Sequence, residues 1–317
     1  MVNGLRRVAR DIIAGKIRSR MTEDAKPIKS AIVTGASSGI GEATARCLAE
    51  AGFSVVLAAR RKDRLERIAA EIEQQGGRAL AVPTDLSSAK ETSALVRRAL
   101  DTFGRVDVLV NNAGYGPPYA LEQLDRNALR HVFDVNLLAA MQLIGELAPI
   151  MREQGGGRVI NISSLTRYVG APFASSYAAT KGGMEAMNAC MRLELAPWNI
   201  ELSVVVPGFV DTPAFDISRE AGKHLREDPS NPYRELMDHL DTFAKQQLES
   251  AISPDEVGAL ILQIATSKHP KARYFSPRSA GTAARMFALM PHKLAERVLH
   301  KMYKWGPGMT HGRPTDD

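Results

Sequence analysis

The stretch that decides the fold is Ala31-Ile32-Val33-Thr34-Gly35-Ala36-Ser37-Ser38-Gly39-Ile40-Gly41-Glu42. A β-branched apolar run enters a glycine turn, and a helical stretch leaves it at Glu42. Glycines let the backbone come close to a pyrophosphate. A helix N-terminus adds free N–H groups and the positive end of a dipole. The spacing is Gly-x3-Gly-x-Gly rather than the commoner Gly-x-Gly-x2-Gly. The strand–turn–helix context makes these glycines point to a dinucleotide rather than to a bare turn.

Outward from this turn the chain alternates. Apolar runs at Ala31–Thr34, Val55–Ala59, Ala79–Val82, Val106–Val110, Val159–Ile162 and Leu202–Val206 are separated by helical stretches. That rhythm predicts βαβ units and a parallel sheet with helices on both faces. The runs are continuously apolar, as expected of strands covered on both sides. Residues 211–251 are polar, broken by Pro213, Pro229 and Pro232, and predict two short helices over a cleft mouth. Pro254-Asp255-Glu256 opens a helix ending near Thr266.

The 317 residues (34.5 kDa) are 44% hydrophobic and 24% charged, which excludes a mostly disordered chain, a collagen and a coiled coil. No run of 18 apolar residues occurs, so no membrane-spanning helix is expected. Cys47 and Cys190 are isolated and form neither a disulfide framework nor a zinc cluster; no metal is expected, and a reducing compartment is the simplest setting. The net charge of +6 is uneven. Residues 1–30 carry eight Lys/Arg against three Asp/Glu, residues 268–317 ten against three, and the middle is acidic. Basic ends on an acidic body argue against nucleic acid and suit an anionic surface.

Both ends read as amphipathic. Leu5, Val8, Ile12, Ile13 and Ile17 recur at helical spacing beside Arg6, Arg7, Arg10, Lys16 and Arg18. Pro291 opens a helix with Leu294, Val298, Leu299, Met302 and Trp305 on one face and Lys293, Arg297, Lys301 and Lys304 elsewhere. Such helices bind a bilayer interface, a partner subunit or the protein's own body. The N-terminal stretch also fits a solvated tail or an organelle-targeting peptide.

Two further features carry chemistry. The second strand ends in Ala58-Ala59-Arg60-Arg61. An acidic residue there would bind the ribose 2′-hydroxyl of NAD. Arg60, with Arg61 and Ser37 nearby, suits the 2′-phosphate of NADP instead. Tyr177 and Lys181 lie four apart and share one helix face. A nearby ammonium favours phenolate and brings a tyrosine toward the working range of a general acid. Ser164 ends the fifth strand, where its hydroxyl could reach the same carbonyl.

Taken together, these residues resemble the short-chain dehydrogenase/reductase family. The matching motifs are the turn at 34–41, Asn111-Asn112-Ala113-Gly114, Asn136 in Asp134-Val135-Asn136, the set Ser164…Tyr177-x3-Lys181, and Pro207-Gly208. The resemblance covers about residues 30–275. It implies a Rossmann-type α/β fold: a doubly wound parallel sheet of about seven strands, with helical extensions at 1–29 and 276–317. It implies nicotinamide-dependent carbonyl/alcohol chemistry. Tyr177 would then be the general acid, Ser164 would polarise the substrate oxygen, and Lys181 would lower the tyrosine pKa and hold the nicotinamide ribose. Asn136 would keep a backbone kink and a water in the proton relay. The cofactor would lie on Gly35, Ser37, Ser38, Gly39, Ile40 and Gly41, with Arg60 and Arg61 at its phosphate and Tyr177 beside Lys181 also in contact with it. Asp85 and Leu86 would meet adenine and Asn112, Ala113 and Gly114 the adenosine side. Pro207, Gly208, Val210 and Thr212 would pack on the nicotinamide.

The long 211–251 segment and Tyr274-Phe275 resemble the hydroxysteroid and retinol dehydrogenase branch. Phe209, Phe215, Tyr115, Tyr119, Tyr168, Phe173 and Met184 could wall a hydrophobic pocket or belong to the core. The leading expectation is an NADP(H)-dependent oxidoreductase for a hydrophobic ketone or secondary alcohol. It would be cytoplasmic, with membrane-surface contact through its termini, and a dimer or tetramer. The alternatives are a soluble carbonyl reductase of small polar metabolites and an NADP-sensing module without turnover.

Overall fold

The computed structural model describes residues 28–304. The elements run β1 (Ser30–Thr34), α1 (Gly39–Glu50), β2 (Ser54–Ala59), α2 (Lys62–Gln74), β3 (Arg78–Pro83), α3 (Ala89–Phe103), β4 (Val108–Asn111) and α4 (Arg126–Phe133). A π turn at Asp134–Leu138 leads to α5 (Ala139–Glu153), then β5 (Gly157–Ile162), α6 (Ser175–Leu195) and β6 (Ile200–Pro207). Next come α7 (Ala214–Ala221), α8 (Lys223–Glu227), α9 (Arg234–Leu248), α10 (Pro254–Thr266), β7 (Arg273–Ser276), α11 (Arg278–Leu289) and α12 (His292–Tyr303).

The seven strands form one sheet in the order β3-β2-β1-β4-β5-β6-β7, all parallel. Alternate strand residues face opposite sides. Ala31, Val33, Val55 and Leu57 pack with Leu48 of α1, Ile68 of α2 and Ile261 of α10. Ile32, Val56 and Ala58 pack with Leu95 of α3 and with Leu143, Ile144 and Leu147 of α5. The chain reverses its direction of travel across the sheet between β1 and β4. In open α/β sheets, ligands bind in the crevice at the strand ends beside such a switch point.

Local chemistry explains the ends of several elements. Ser253 and Glu256 form a reciprocal capping box, with Pro254 at the first turn of α10. The helix stops at Thr266, as expected. Gly258 lets α10 lie flush on α1: a Cβ there would come within 3.0 Å of the Ala43 backbone. The fourth strand begins at Val108, not at the expected Val106. The Gln154 side chain accepts from Val106 N (3.1 Å) and donates to Val106 O (2.9 Å), and so replaces a neighbouring strand.

Segment 211–251 forms three helices rather than two. The break between α7 and α8 falls at Gly222, where a Cβ would meet Pro118 at 3.0 Å. The described part of the C-terminal extension packs on the body. Ala280, Gly281 and Ala284 are buried, Gly281 against Phe275 of β7. Tyr303 of α12 is buried and meets Phe243 of α9 edge-on. The basic N-terminal stretch 1–27 and Trp305 lie outside the described residues. The helical run Arg126–Glu153 is long and apolar enough to cross a bilayer by length and composition. Its apolar face, including Leu143, Ile144, Leu147 and Met151, is buried in the fold.

Candidate active site

The glycine turn is built to keep its donors free. Gly35 and Gly39 have φ of +67° and +57°, where residues with a Cβ are strained. A Cβ on Gly41 would drive into the Gly35 carbonyl and come within 2.6 Å of Asn112 Nδ2. Ser38 is the N-cap of α1, yet its side chain accepts no capping hydrogen bond, so the first N–H groups of the helix stay available. Around the turn, Thr34 Oγ1 accepts from Asn112 N and Ala113 N, both at 3.0 Å, and Asn112 Nδ2 donates to Thr34 O at 2.9 Å. Asn112 therefore clamps β1 to β4.

Arg60 and Arg61 behave differently. Arg60 is exposed, with no ion pair among the described residues. Arg61 donates from Nη2 to Ser37 Oγ (2.7 Å) and to Ser38 Oγ (2.8 Å). Partial burial and the neighbouring arginines lower its pKa. The two guanidiniums thus stand at the open turn, one tied to its serines and one in solvent. Asp85 Oδ1 accepts from Ser87 N and Ser87 Oγ, which holds its carboxyl below the usual range; Leu86 beside it is buried. Free helix donors, a cradle without Cβ atoms and two adjacent cations fit the phosphates of a dinucleotide.

At the same edge of the sheet stand the chemical groups. Ser164 follows β5, and Tyr177 and Lys181 project from α6. The Tyr177 hydroxyl hydrogen-bonds with Ser164; burial pushes its pKa up, and that bond pulls it back. Ser164 Oγ also accepts from Thr166 Oγ1 at 2.9 Å. The Lys181 ammonium lies 5.5 Å from the Tyr177 ring centroid and donates to Ile162 O at 2.7 Å. Lys181 is 2% exposed, and burial brings its pKa from 10.5 down to about 8.

The Lys181 ammonium, expected to acidify Tyr177, is itself desolvated and bonded to the Ile162 carbonyl. Asn136 is fully buried in the π turn, which supplies the expected kink. Its Oδ1 accepts from Tyr115 N (3.0 Å), and its Nδ2 donates to Tyr115 O (2.8 Å) and Thr180 Oγ1 (3.2 Å). Gly114 keeps the space open between Asn136 and Lys181: a Cβ there would stand 3.1 Å from Lys181 Nζ and 3.3 Å from Asn136 Oδ1.

Beyond β6, Gly208 N donates to Ser276 O at 2.8 Å, and Val210 bridges Ile252. Pro207 closes β6 against Ser276, and the Thr212 methyl reaches the glycine turn, where a Cβ on Gly39 would meet it at 2.9 Å. The expected apolar wall divides. Phe209 is 40% exposed and edge-on to Phe243, Phe173 is edge-on to Tyr233, and Tyr115 leans on His131. Tyr119 donates its hydroxyl to Ala221 O, and Phe215 is half-buried on α7. Met184, at 0% exposure, is core.

Tyr168 belongs to a cluster that the sequence did not reveal. Glu185, one turn beyond Lys181, is almost fully buried. It accepts from Ser163 Oγ (2.7 Å) and Tyr168 OH (2.6 Å) and pairs with Arg273 (2.9 Å). Tyr168 is pushed up to about 12, by burial first and then by the Glu185 carboxylate. This cluster fixes the backbone beside Ser164 and ties it to β7. Its only sequence signal is a glutamate in register with Lys181, on a helix face that also buries Thr180, Met184 and Asn188. A second buried chain runs from Asn111 Nδ2 to Asn161 Oδ1 and from Asn161 Nδ2 to Asn188 Oδ1, across β4, β5 and α6.

Comparison with known proteins agrees with this geometry. A ketoacyl reductase of Nostoc sp. is 39% identical over 182 residues, covering 57% of this chain and 63% of the relative, slightly less than two thirds of its length. A metagenomic short-chain oxidoreductase solved with NADP superposes with a TM-score of 0.63 at 29% identity, over 79% of this chain and 98% of that one. A short-chain dehydrogenase/reductase from Burkholderia phymatum solved with NAD gives a TM-score of 0.72 at 25% identity, over 90% and 97%. The family model described as short chain dehydrogenase matches residues 29–222. With its turn, its sheet and its serine, tyrosine and lysine in place, the chain belongs to the short-chain dehydrogenase/reductase family.

Proposed function

We propose that this oxidoreductase transfers hydride between NADP(H) and the carbonyl or secondary alcohol of a hydrophobic, lipid-like substrate. The observation that carries the reading is the meeting of the Tyr177 hydroxyl, Ser164 and the buried Lys181 at the sheet edge that holds the open start of α1. Bound on Gly35–Gly41, the reduced cofactor supplies the hydride. Ser164 donates a hydrogen bond to the carbonyl oxygen and polarises it. Tyr177 delivers the proton to that oxygen; as the general acid of the reduction, it is protonated at neutral pH like an ordinary phenol. Lys181 sits one helical turn away and orients the ribose beside the tyrosine. Asn136 holds the Tyr115 backbone at the mouth and keeps the relay open. Asp85 and Leu86 bound the adenine end, and Pro207, Gly208, Val210 and Thr212 the nicotinamide end.

NADP is favoured over NAD by Arg60 and Arg61. A hydrophobic substrate is favoured by Phe209, Phe215 and Phe243 under the α7–α9 cover, and by the likeness to a ketoacyl reductase. In this reading the enzyme is cytoplasmic, works against a membrane face, and assembles as a dimer or tetramer. The test is NADPH and NADH oxidation with a panel of β-ketoacyl thioester, steroid ketone, retinal and small polar carbonyls. NADPH-dependent turnover of an apolar member supports the reading. Turnover confined to polar members favours the soluble metabolite reductase. NADPH binding without turnover of any member favours the sensing module.

A further inference from the structure

The C-terminal helices carry a surface that the chemistry of hydride transfer does not use. A cleft of about 490 Å³ lies between α10, β7 and α11. Lys271, Arg273, Arg278 and Arg285 line it, over a floor that includes Tyr274 and Phe275, and no carboxylate is among its lining residues. Arg273 is committed to Glu185. Lys271, Arg278 and Arg285 are exposed and have no ion pair among the described residues. Three cations sharing one hollow repel each other unless an anion enters it.

The same face of α11 continues into an apolar crest. Residues three and four apart on a helix are neighbours. Arg278, Thr282 and Arg285 therefore lead to Met286 and Leu289, while Ala280, Gly281 and Ala284 are buried on the other side. Met286 is 51% and Leu289 86% exposed, and Leu294 at the start of α12 is 47% exposed. Lys293 and Arg297 flank Leu294, again with no ion pair among the described residues. Cations backed by exposed Met and Leu match an anionic bilayer: phosphates for the cleft and acyl chains for the crest. A nucleic acid offers nothing to the crest. A second copy of the chain in a two-fold contact would set these cations against themselves.

We propose that this face, the basic cleft with the Met286–Leu289–Leu294 crest, docks the enzyme on an anionic lipid bilayer, with a lipid headgroup phosphate seated among Lys271, Arg278 and Arg285. The proposal rests on the membrane-facing reading above and assigns that contact to particular residues. It also gives the contact a mechanical route to the site. Phe209, just past β6, meets Phe243 of α9 at 6.2 Å between centroids, and Phe243 meets Tyr303 of α12 at 5.3 Å. The helix that flanks the crest is thus stacked onto the cover of the substrate side.

The test uses the full-length protein in co-sedimentation with vesicles of phosphatidylcholine alone or mixed with phosphatidylglycerol. Binding is expected only to the mixed vesicles. Each cation near an anionic surface is worth about five-fold in affinity, so Arg278→Gln with Arg285→Gln should weaken binding about 30-fold. Leu289→Asp should weaken it as well. Both variants should reduce a water-soluble carbonyl at the wild-type rate, so a docking failure is distinguishable from a catalytic one. The proposal is overturned if wild type ignores mixed vesicles or if neither variant changes binding. It is equally overturned if duplex DNA competes as well as vesicles, or if the variants instead abolish a dimer.

Discussion

Replacing Tyr177 by Phe removes one hydroxyl and leaves the ring, so the two roles of that oxygen separate by size. Among the described residues the hydroxyl interacts with Ser164, and Ser164 keeps Thr166 Oγ1 at 2.9 Å when the phenol is gone. The stability lost is then that of a single hydrogen bond, about 1 kcal/mol. A positioned general acid contributes about two to four decades of rate. At about 1.36 kcal/mol per decade that is roughly 3–5 kcal/mol of barrier, several times the folding cost. Tyr177→Phe should therefore unfold in urea close to wild type, bind NADPH with unchanged affinity, and lose at least about 100-fold in single-turnover NADPH oxidation with an accepted carbonyl. Single turnover matters because product release can mask a chemical step. A residual rate within about ten-fold of wild type would refute the proton-donor assignment. Lost NADPH binding would instead make the tyrosine a cofactor anchor.

Two other expectations follow from the same site. Arg60→Asp should lower the ratio of kcat/KM for NADPH over NADH by about 10- to 100-fold, the size of one charge-assisted hydrogen bond; if that ratio holds while Arg61→Ala lowers it, the selector is the arginine tied to Ser37 and Ser38. Lys181 keeps its proton to 10.5 when exposed but only to about 8 when buried, so between those values the unfolded chain binds more protons and this group's contribution to stability rises with pH. Urea unfolding of wild type and Lys181→Met at about pH 7 and pH 10 should show the difference moving in favour of wild type at the higher pH; a constant difference would mean that the ammonium is not desolvated.

Much of this molecule is written locally in its sequence. The strand–turn–helix at 31–42, the Tyr177–Lys181 spacing and the helix opened by Pro254-Asp255-Glu256 depend on neighbours within a few residues, and all appear where the pattern puts them. What was illegible depends on closure of the fold. Glu185 gathers Ser163, Tyr168 and Arg273 from three separate segments, and no spacing rule joins them. Lys181 sits on the expected face, but its burial and its bond to Ile162 O decide its proton, and neither has a sequence signature. Tyr168 and Met184 have the composition of a pocket wall and belong to a buried cluster and the core. Hydrophobicity alone does not separate those fates. The third helix of segment 211–251 was hidden because its polar sequence draws part of its support from α12 through Phe243 and Tyr303.

The clasp of Asn112 and Ala113 on Thr34 makes the glycine turn one piece with the central strands. The three helices α7–α9 come between the end of β6 and the start of α10. In the proposed function that insertion covers the substrate, so its side chains can change without recasting the turn.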